Sequence, residues 1–255
     1  MSVFARFRAL PEKDKAALVR KLVQSGTPDF DYFYLIGLST LMATLGLLLN
    51  SSAIVIGSML IAPLMYPILG VALGLVMMGD NLSVLERSIN TLVKSLAIGL
   101  GLSIVAAFFF GSAEAYETAA VMMRTVPSHL HLLVAVAAGA AVAYTLARPE
   151  WSDALPGVAI TVALIPPLAA VGVGIAAASA AIIKGAAMIL LLNLFGIIGI
   201  AVVIFLLMNL SEKQNIAEST MRREEEKIEH EQKAIAEVKE QISNDEGSTK
   251  SSDHA

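Results

Sequence analysis

Residues 51–80 read SSAIVIGSMLIAPLMYPILGVALGLVMMGD, an apolar run with Pro63 and Pro67 near its middle. A membrane-crossing helix needs about 20 mainly apolar residues, and this stretch supplies them. Each proline removes a backbone donor and clashes with the preceding turn. The stretch therefore predicts a spanning helix that is interrupted partway. In hydrocarbon the freed carbonyls need partners, so such a break is tolerated where it is buried in protein or lines a water-filled cavity.

Working outward, residues 30–210 stay hydrophobic with brief polar interruptions, and spans are expected near 31–49, 53–78, 89–110, 130–147, 154–178 and 185–210. The composition agrees. The 255 residues are 56% hydrophobic and only 16% charged, against roughly a quarter charged in soluble domains. Mean hydropathy is +0.71. Aromatic residues Phe30, Tyr32, Phe33 and Tyr34 mark the start of the first span, and Trp151 falls between the fourth and fifth. The expected partner is a lipid bilayer. A net charge of −4 offers no general attraction for nucleic acid. With no cysteine in the chain, disulfides and thiolate chemistry are excluded.

Two polar regions flank the apolar one. Residues 1–28 are basic and lack the apolar core of a cleavable leader. Pro11 opens a short helix with Leu18, Val19, Leu22 and Val23 on one side, which reads either as a surface helix or as a loosely ordered arm. In residues 211–246, Met221, Ile228, Ile235 and Ile242 recur at heptad spacing. That seam predicts a coiled coil joining copies of the chain, or a single solvated helix, since many d positions are polar. Residues 247–255 have the composition of a disordered tail. Sixteen of the 18 Lys and Arg residues fall on one side of this six-span arrangement, leaving Arg124 and Lys184 on the other. Positive loops stay in the cytoplasm, so both termini are expected there, in a cell inner membrane.

The chain also matches itself at a shift of 100 residues: Ser52 falls on Ser152, Gly57 on Gly157, Pro67 on Pro167, Val71 on Val171 and Gly74 on Gly174. Repeat one covers about 29–110 and repeat two about 130–210. Because three crossings are odd, the second copy must enter from the opposite face, so the repeat is inverted. Inverted repeats in transporters place the substrate site at their interface, often on broken helices. Span five carries Pro166 and Pro167 at the matching depth, with Ile165 and Pro166 biased toward extended geometry because each precedes a proline. Candidate pathway residues are Ser58, Pro63, Tyr66 and Pro67 in span two, Thr161, Pro166 and Pro167 in span five, and Asn193 in span six. Simple kinks packed through glycine, and an interhelical hydrogen bond for Asn193, are the plainer readings of the same residues.

No acidic or basic residue lies deep in a predicted span, so no carboxylate proton relay is visible; Lys94 is near enough to the interface to snorkel. His129 and His131 at the end of span four read as interface residues rather than metal ligands. No phosphate-binding loop, nucleophile elbow or zinc-protease motif is present, so no enzyme, catalytic residue, cofactor site or metal site is expected.

The stretch NSSAIVIGSMLIAPLMYPILGVALGL at 50–75, with DFDYFYLIGLSTLMATLGLLLN before it and VAITVALIPPLAAVGVGIA at 158–176, resembles the bacterial and archaeal family named domain of unknown function 389. The likeness spans residues 29 to about 210 and leaves out the arm and the heptad tail. It implies an integral membrane domain and brings no assigned functional residue. The expectation is thus an all-α, six-helix membrane protein. It would pass a small ion or solute, of unknown identity, along paired breaks in helices two and five. The rival is an oligomeric scaffold or sensor acting through its tail. A rival topology makes segments two and five re-entrant hairpins, at the cost of a poorer charge distribution.

Overall fold

The computed structural model describes residues 11–25, 28–77, 82–146, 154–213, 215–224 and 226–229, with backbone alone for residues 25, 154–163 and 211. The described residues are helical throughout. In chain order the helices are α1 (Glu12–Ser25), α2 (Phe30–Leu48), α3 (Ser52–Met59), α4 (Met65–Val76), α5 (Ser83–Phe110), α6 (Ala113–Tyr116), α7 (Ala119–Met122), α8 (His129–Leu146), α9 (Ala154–Ala176) and α10 (Ala180–Leu207). A 3-10 turn at Leu210–Lys213 and helical residues 215–224 and 226–229 follow.

Four of these, α2, α5, α8 and α10, are long and apolar enough to cross a bilayer. At 28 residues, α5 and α10 each reach about 42 Å, more than the roughly 30 Å hydrocarbon core. Their apolar side chains are not spent on an interior: only 33% of the most apolar window of α5 and 28% of that of α8 is buried. Phe108, Phe109, Leu133, Val134 and Phe195 point outward. A surface this apolar needs lipid against it, so this is a membrane protein.

Contacts fix the helix directions. Tyr32 meets Ser95, Thr40 lies against Gly99 and Thr44 meets Ser103, so α2 and α5 run parallel. Gly99 approaches Leu168, and Ser103 bonds Ala169 and lies against Gly172, so α9 runs the same way. Gly70 lies on Ser88 and Gly74 on Leu85, which makes α4 antiparallel to α5. Ala135 meets Gly196 and Gly139 meets Ile197 and Ile200, so α8 and α10 are parallel to each other. A polar relay ties three helices at the centre: Thr44 donates to the Ser103 hydroxyl at 2.8 Å, and Ser103 donates to the Ala169 carbonyl at 3.0 Å.

The two proline-bearing segments differ. Helix α3 ends at Met59 and α4 starts at Met65, with Pro63 between them. Pro67 sits in the first turn of α4, where an N–H has no partner within the helix and its loss costs little. The exposed helix end is repaired from α2: the buried Ser39 hydroxyl donates to the Ser58 carbonyl at 2.6 Å. Ser39→Ala is therefore expected to lower stability by about 1 kcal/mol. Thermal unfolding in detergent reads it, and an unchanged Tm would show that the bond does not hold the break. In the second segment the expected interruption is absent. Helix α9 continues through Pro166 and Pro167. Leu164, Ile165, Leu168 and Ala169 around them are at most 2% exposed. Their packing against α2, α5 and α10 outweighs the local bias of residues preceding proline.

A second correspondence links different parts of the chain. The turn after α2 has Asn50 at φ 51°, with Ser51 N–H donating to Gly46 O at 2.9 Å; the turn after α9 has Ala178 at φ 51°, with Ser179 N–H donating to Gly174 O at 2.9 Å. A Cβ on Gly46 would lie 2.9 Å from the Val55 nitrogen, and one on Gly174 the same distance from that of Ile183. GLLLNSSAIVIG at 46–57 thus overlays GIAAASAAIIKG at 174–185. The two turns share the 6→1 closure of a helix end.

At the opposite end, which carries α1, the apolar side of α1 (Leu18, Val19, Leu22, Val23) is buried against α4 and the 3-10 turn. Glu12 bonds Lys15 and Lys213, and these cations hold its carboxyl down at about 2. As far as it is described, the tail packs on the chain itself. Met221 is 5% exposed, with its sulfur 3.8 Å from the Ser83 hydroxyl, and Ile228 lines a groove beside Lys94. The positive-φ turn at Asn209 precedes this helix. The first two seam positions thus face the chain's own α5. Ile235, Ile242, the 247–255 tail and Trp151 lie outside the described residues.

Candidate functional site

The segment joining α5 to α8 folds back over one end of the bundle, the end that carries Asn50 and Ala178. Local caps shape it: Ser112 accepts from Ala115 N–H and Thr118 from Val121 N–H. Two longer bonds dock it on α2. The Thr118 hydroxyl donates to Leu47 O at 2.8 Å, and Ala120 N–H donates to the Asn50 amide oxygen at 3.0 Å. On the far side the Thr125 backbone sits directly on Gly185 of α10, where a Cβ would come within 2.5 Å of the Thr125 carbonyl carbon. Only glycine permits that approach.

This docking leaves an open cavity of about 490 Å³ between the segment and helices α8, α9 and α10. That volume lies in the range of about 300–1,000 Å³ typical of small-molecule sites. Its apolar wall is Met123, Leu130, Val134 and Ile189; its polar groups are Arg124, Ser128, His131 and Asn193, and Pro166 and Pro167 complete it. The prolines withhold the N–H donors that the carbonyls of Val162 and Ala163 would receive in an unbroken ladder.

Arg124 is half-buried, and burial depresses its pKa from the ordinary value. It nonetheless stays cationic, as arginine does in proteins. One guanidinium nitrogen donates to the Ala120 carbonyl. Among the described residues no carboxylate pairs with it. Ser128 begins α8, its hydroxyl accepting from Leu130 N–H at 3.2 Å. The Ser128 N–H and carbonyl lie 3.2 Å and 3.3 Å from His131 Nδ1, which tethers the ring to the start of α8. Among the described residues no cluster of three or more His, Cys, Asp or Glu could hold a metal.

Of the residues singled out in the sequence, this cavity brings together Pro166, Pro167 and Asn193. The structure places Ser58, Pro63, Tyr66 and Pro67 at the α3–α4 interruption, away from its lining. Ser58 is spent on a bond to Val55 O at 2.6 Å. Thr161 lies on α9, its side chain outside the described residues. Arg124, Ser128 and His131 were not among the expected pathway residues, His131 being expected only at the interface. One signal pointed at Arg124: it was one of only two basic residues on the expected outer side, where basic residues are disfavoured. A second groove, of about 460 Å³, lies at the α1 end; it mixes Glu86 with Arg87 and Lys94 and so has no single charge preference.

An uncharacterised protein of Methanocaldococcus jannaschii is 30% identical over 168 residues, which cover 66% of this chain and 51% of that protein. The chain thus spans about half the length of this curated relative. No solved structure matches it. The family model described as domain of unknown function (DUF389) matches residues 59–220. The match begins at 59, later than the expected 29, and extends past α10 into the tail helix, which the sequence likeness had left outside. With more than half its length matched, the chain belongs to the DUF389 family.

Proposed function

We propose that this protein passes a small solute or ion across the membrane, as a transporter or channel, and that the cavity at Pro166, Pro167 and Asn193 is part of the route. The observation that carries the reading is the convergence of these three residues, drawn from two helices, on one solvent-sized space beside a proline-interrupted hydrogen-bond ladder. Packing supports an inverted three-plus-three arrangement of the helices. In each trio the first and third helices are parallel and touching, α2 with α5 and α8 with α10, and in each the middle segment precedes its partner across a glycine, Gly74 on Leu85 and Gly174 on Ile183. The cavity lies within the second trio, beneath the segment that joins it to the first. The action proposed is passage, with no covalent chemistry.

Reconstitution in liposomes tests this. The panel should include inorganic phosphate, sulfate, succinate, potassium and a neutral polyol. At least one is expected to cross well above the rate of protein-free vesicles, and Asn193→Leu, which keeps the side chain's shape and removes its amide, should cut that flux at least tenfold. If none of the panel crosses, or if flux ignores Asn193→Leu, the reading loses its basis.

A further inference from the structure

We infer that the cavity beneath the α5–α8 segment is an anion site, in which Arg124 receives a carboxylate, phosphate or similar oxyanion. The inference deepens the proposed passage function and rests on the same cavity. Carbonyls near a proline interruption would by themselves favour a cation, each bringing a fraction of a negative charge. Arg124 brings a full positive charge to the same 490 Å³. At about 4 Å and an effective dielectric near 20, one unit charge acts on another with about 4 kcal/mol, so the guanidinium sets the sign.

Three further observations point the same way. Among the described residues no acidic one lines the cavity. Arg124 uses one donor on Ala120 O, and among the described residues it has no carboxylate partner, so its remaining N–H groups await an acceptor. A half-buried charge without a counter-ion is costly, and a bound anion removes that cost. The neighbouring groups match as well. The Ser128 hydroxyl and a ring N–H of His131 can both donate to an oxyanion. Guanidinium and oxyanion meet in a bidentate fork, which gives geometry as well as attraction. The oxyanion could be a free solute or the phosphate of a lipid headgroup, because the α8 residues beside the cavity, Leu133 and Val134, are exposed and apolar.

The test uses the full chain in nanodiscs of phosphatidylcholine alone. Inorganic phosphate, sulfate and succinate are titrated while thermal stability is followed, and Arg124 is probed with phenylglyoxal, its modification mapped by mass spectrometry. At least one anion should raise Tm and protect Arg124 at least fivefold. Arg124→Gln should weaken that response at least tenfold, and Arg124→Lys should restore part of it. A parallel arm replaces part of the lipid with phosphatidylglycerol. Protection there with none from the soluble anions assigns the same site to a headgroup. If neither arm protects Arg124, or if Arg124→Gln responds like the parent, the anion assignment is overturned. The outcomes separate from those of the flux assay. Arg124-dependent binding without flux would remove passage and keep the site. Flux of potassium or polyol insensitive to Arg124→Gln would keep passage and remove the anion.

Discussion

Gly185→Ala is expected to disable the cavity while leaving the helices in the membrane. The added methyl would meet backbone, the Thr125 carbonyl carbon at 2.5 Å and Cα at 2.7 Å, and not the flexible end of a side chain. Neither α10 nor a peptide plane can give way as a rotamer does, so the α5–α8 segment must lift. Lifting breaks the bonds that Thr118 and Ala120 make to α2 and carries Arg124 out of its position. Overpacking of this kind costs about 1–3 kcal/mol locally, enough to shift the segment to an open state most of the time. The chain has no cysteine, so a single introduced one reports cleanly. Ala120→Cys, at a site 8% exposed, should react slowly with a polar maleimide in the parent and at least tenfold faster with Gly185→Ala. Equal rates in the two backgrounds would mean that Gly185 does not hold the segment down.

Gly172→Val should have the larger effect on folding itself. Its Cβ would lie 2.5 Å from the Ser103 Cβ and 3.1 Å from the Ile104 nitrogen, at the point where α5 and α9 share the relay from Thr44. Valine cannot shed its branch, and three helices meet there. The protein should be recovered largely aggregated in detergent, with little monodisperse material by size exclusion. Pairing it with Ser103→Gly removes one of the two obstacles and should restore part of the yield, while the clash with Ile104 keeps recovery incomplete. Full recovery of Gly172→Val alone would show that α5 and α9 are not held this closely.

These predictions rest on contacts that differ in how far they could be read from residue order. The spans were legible because lipid imposes a composition on every residue facing it, and α2, α5, α8 and α10 lie close to the expected ranges. The interruption at Pro63 was legible as a local covalent fact. The continuity of α9 was not. Pro166 and Pro167 look more disruptive than Pro63, yet packing on neighbouring helices decided the outcome, and packing has no local signature. Met221 and Ile228 fit a heptad because a helix docked on its own bundle presents the same stripe as one paired with another chain. The cavity was half legible. Asn193 and the prolines stood out as misfits in hydrocarbon. Arg124 belongs to a stretch without periodicity, which acquires its shape from Leu47, Asn50 and Gly185, residues far off in the chain.

That dependence has a consequence for how the protein is made. The α5–α8 segment leaves the ribosome well before α10, and its seat on Gly185 does not yet exist at that point. Contacts of large sequence separation form late, since the loop between them must close first. A nascent chain paused before residue 185 would hold Thr118 and Ala120 against α2 and still lack the floor of its cavity. The last long helix to be synthesised is therefore the one that completes the binding site, and a prematurely terminated product would sit in the membrane without it.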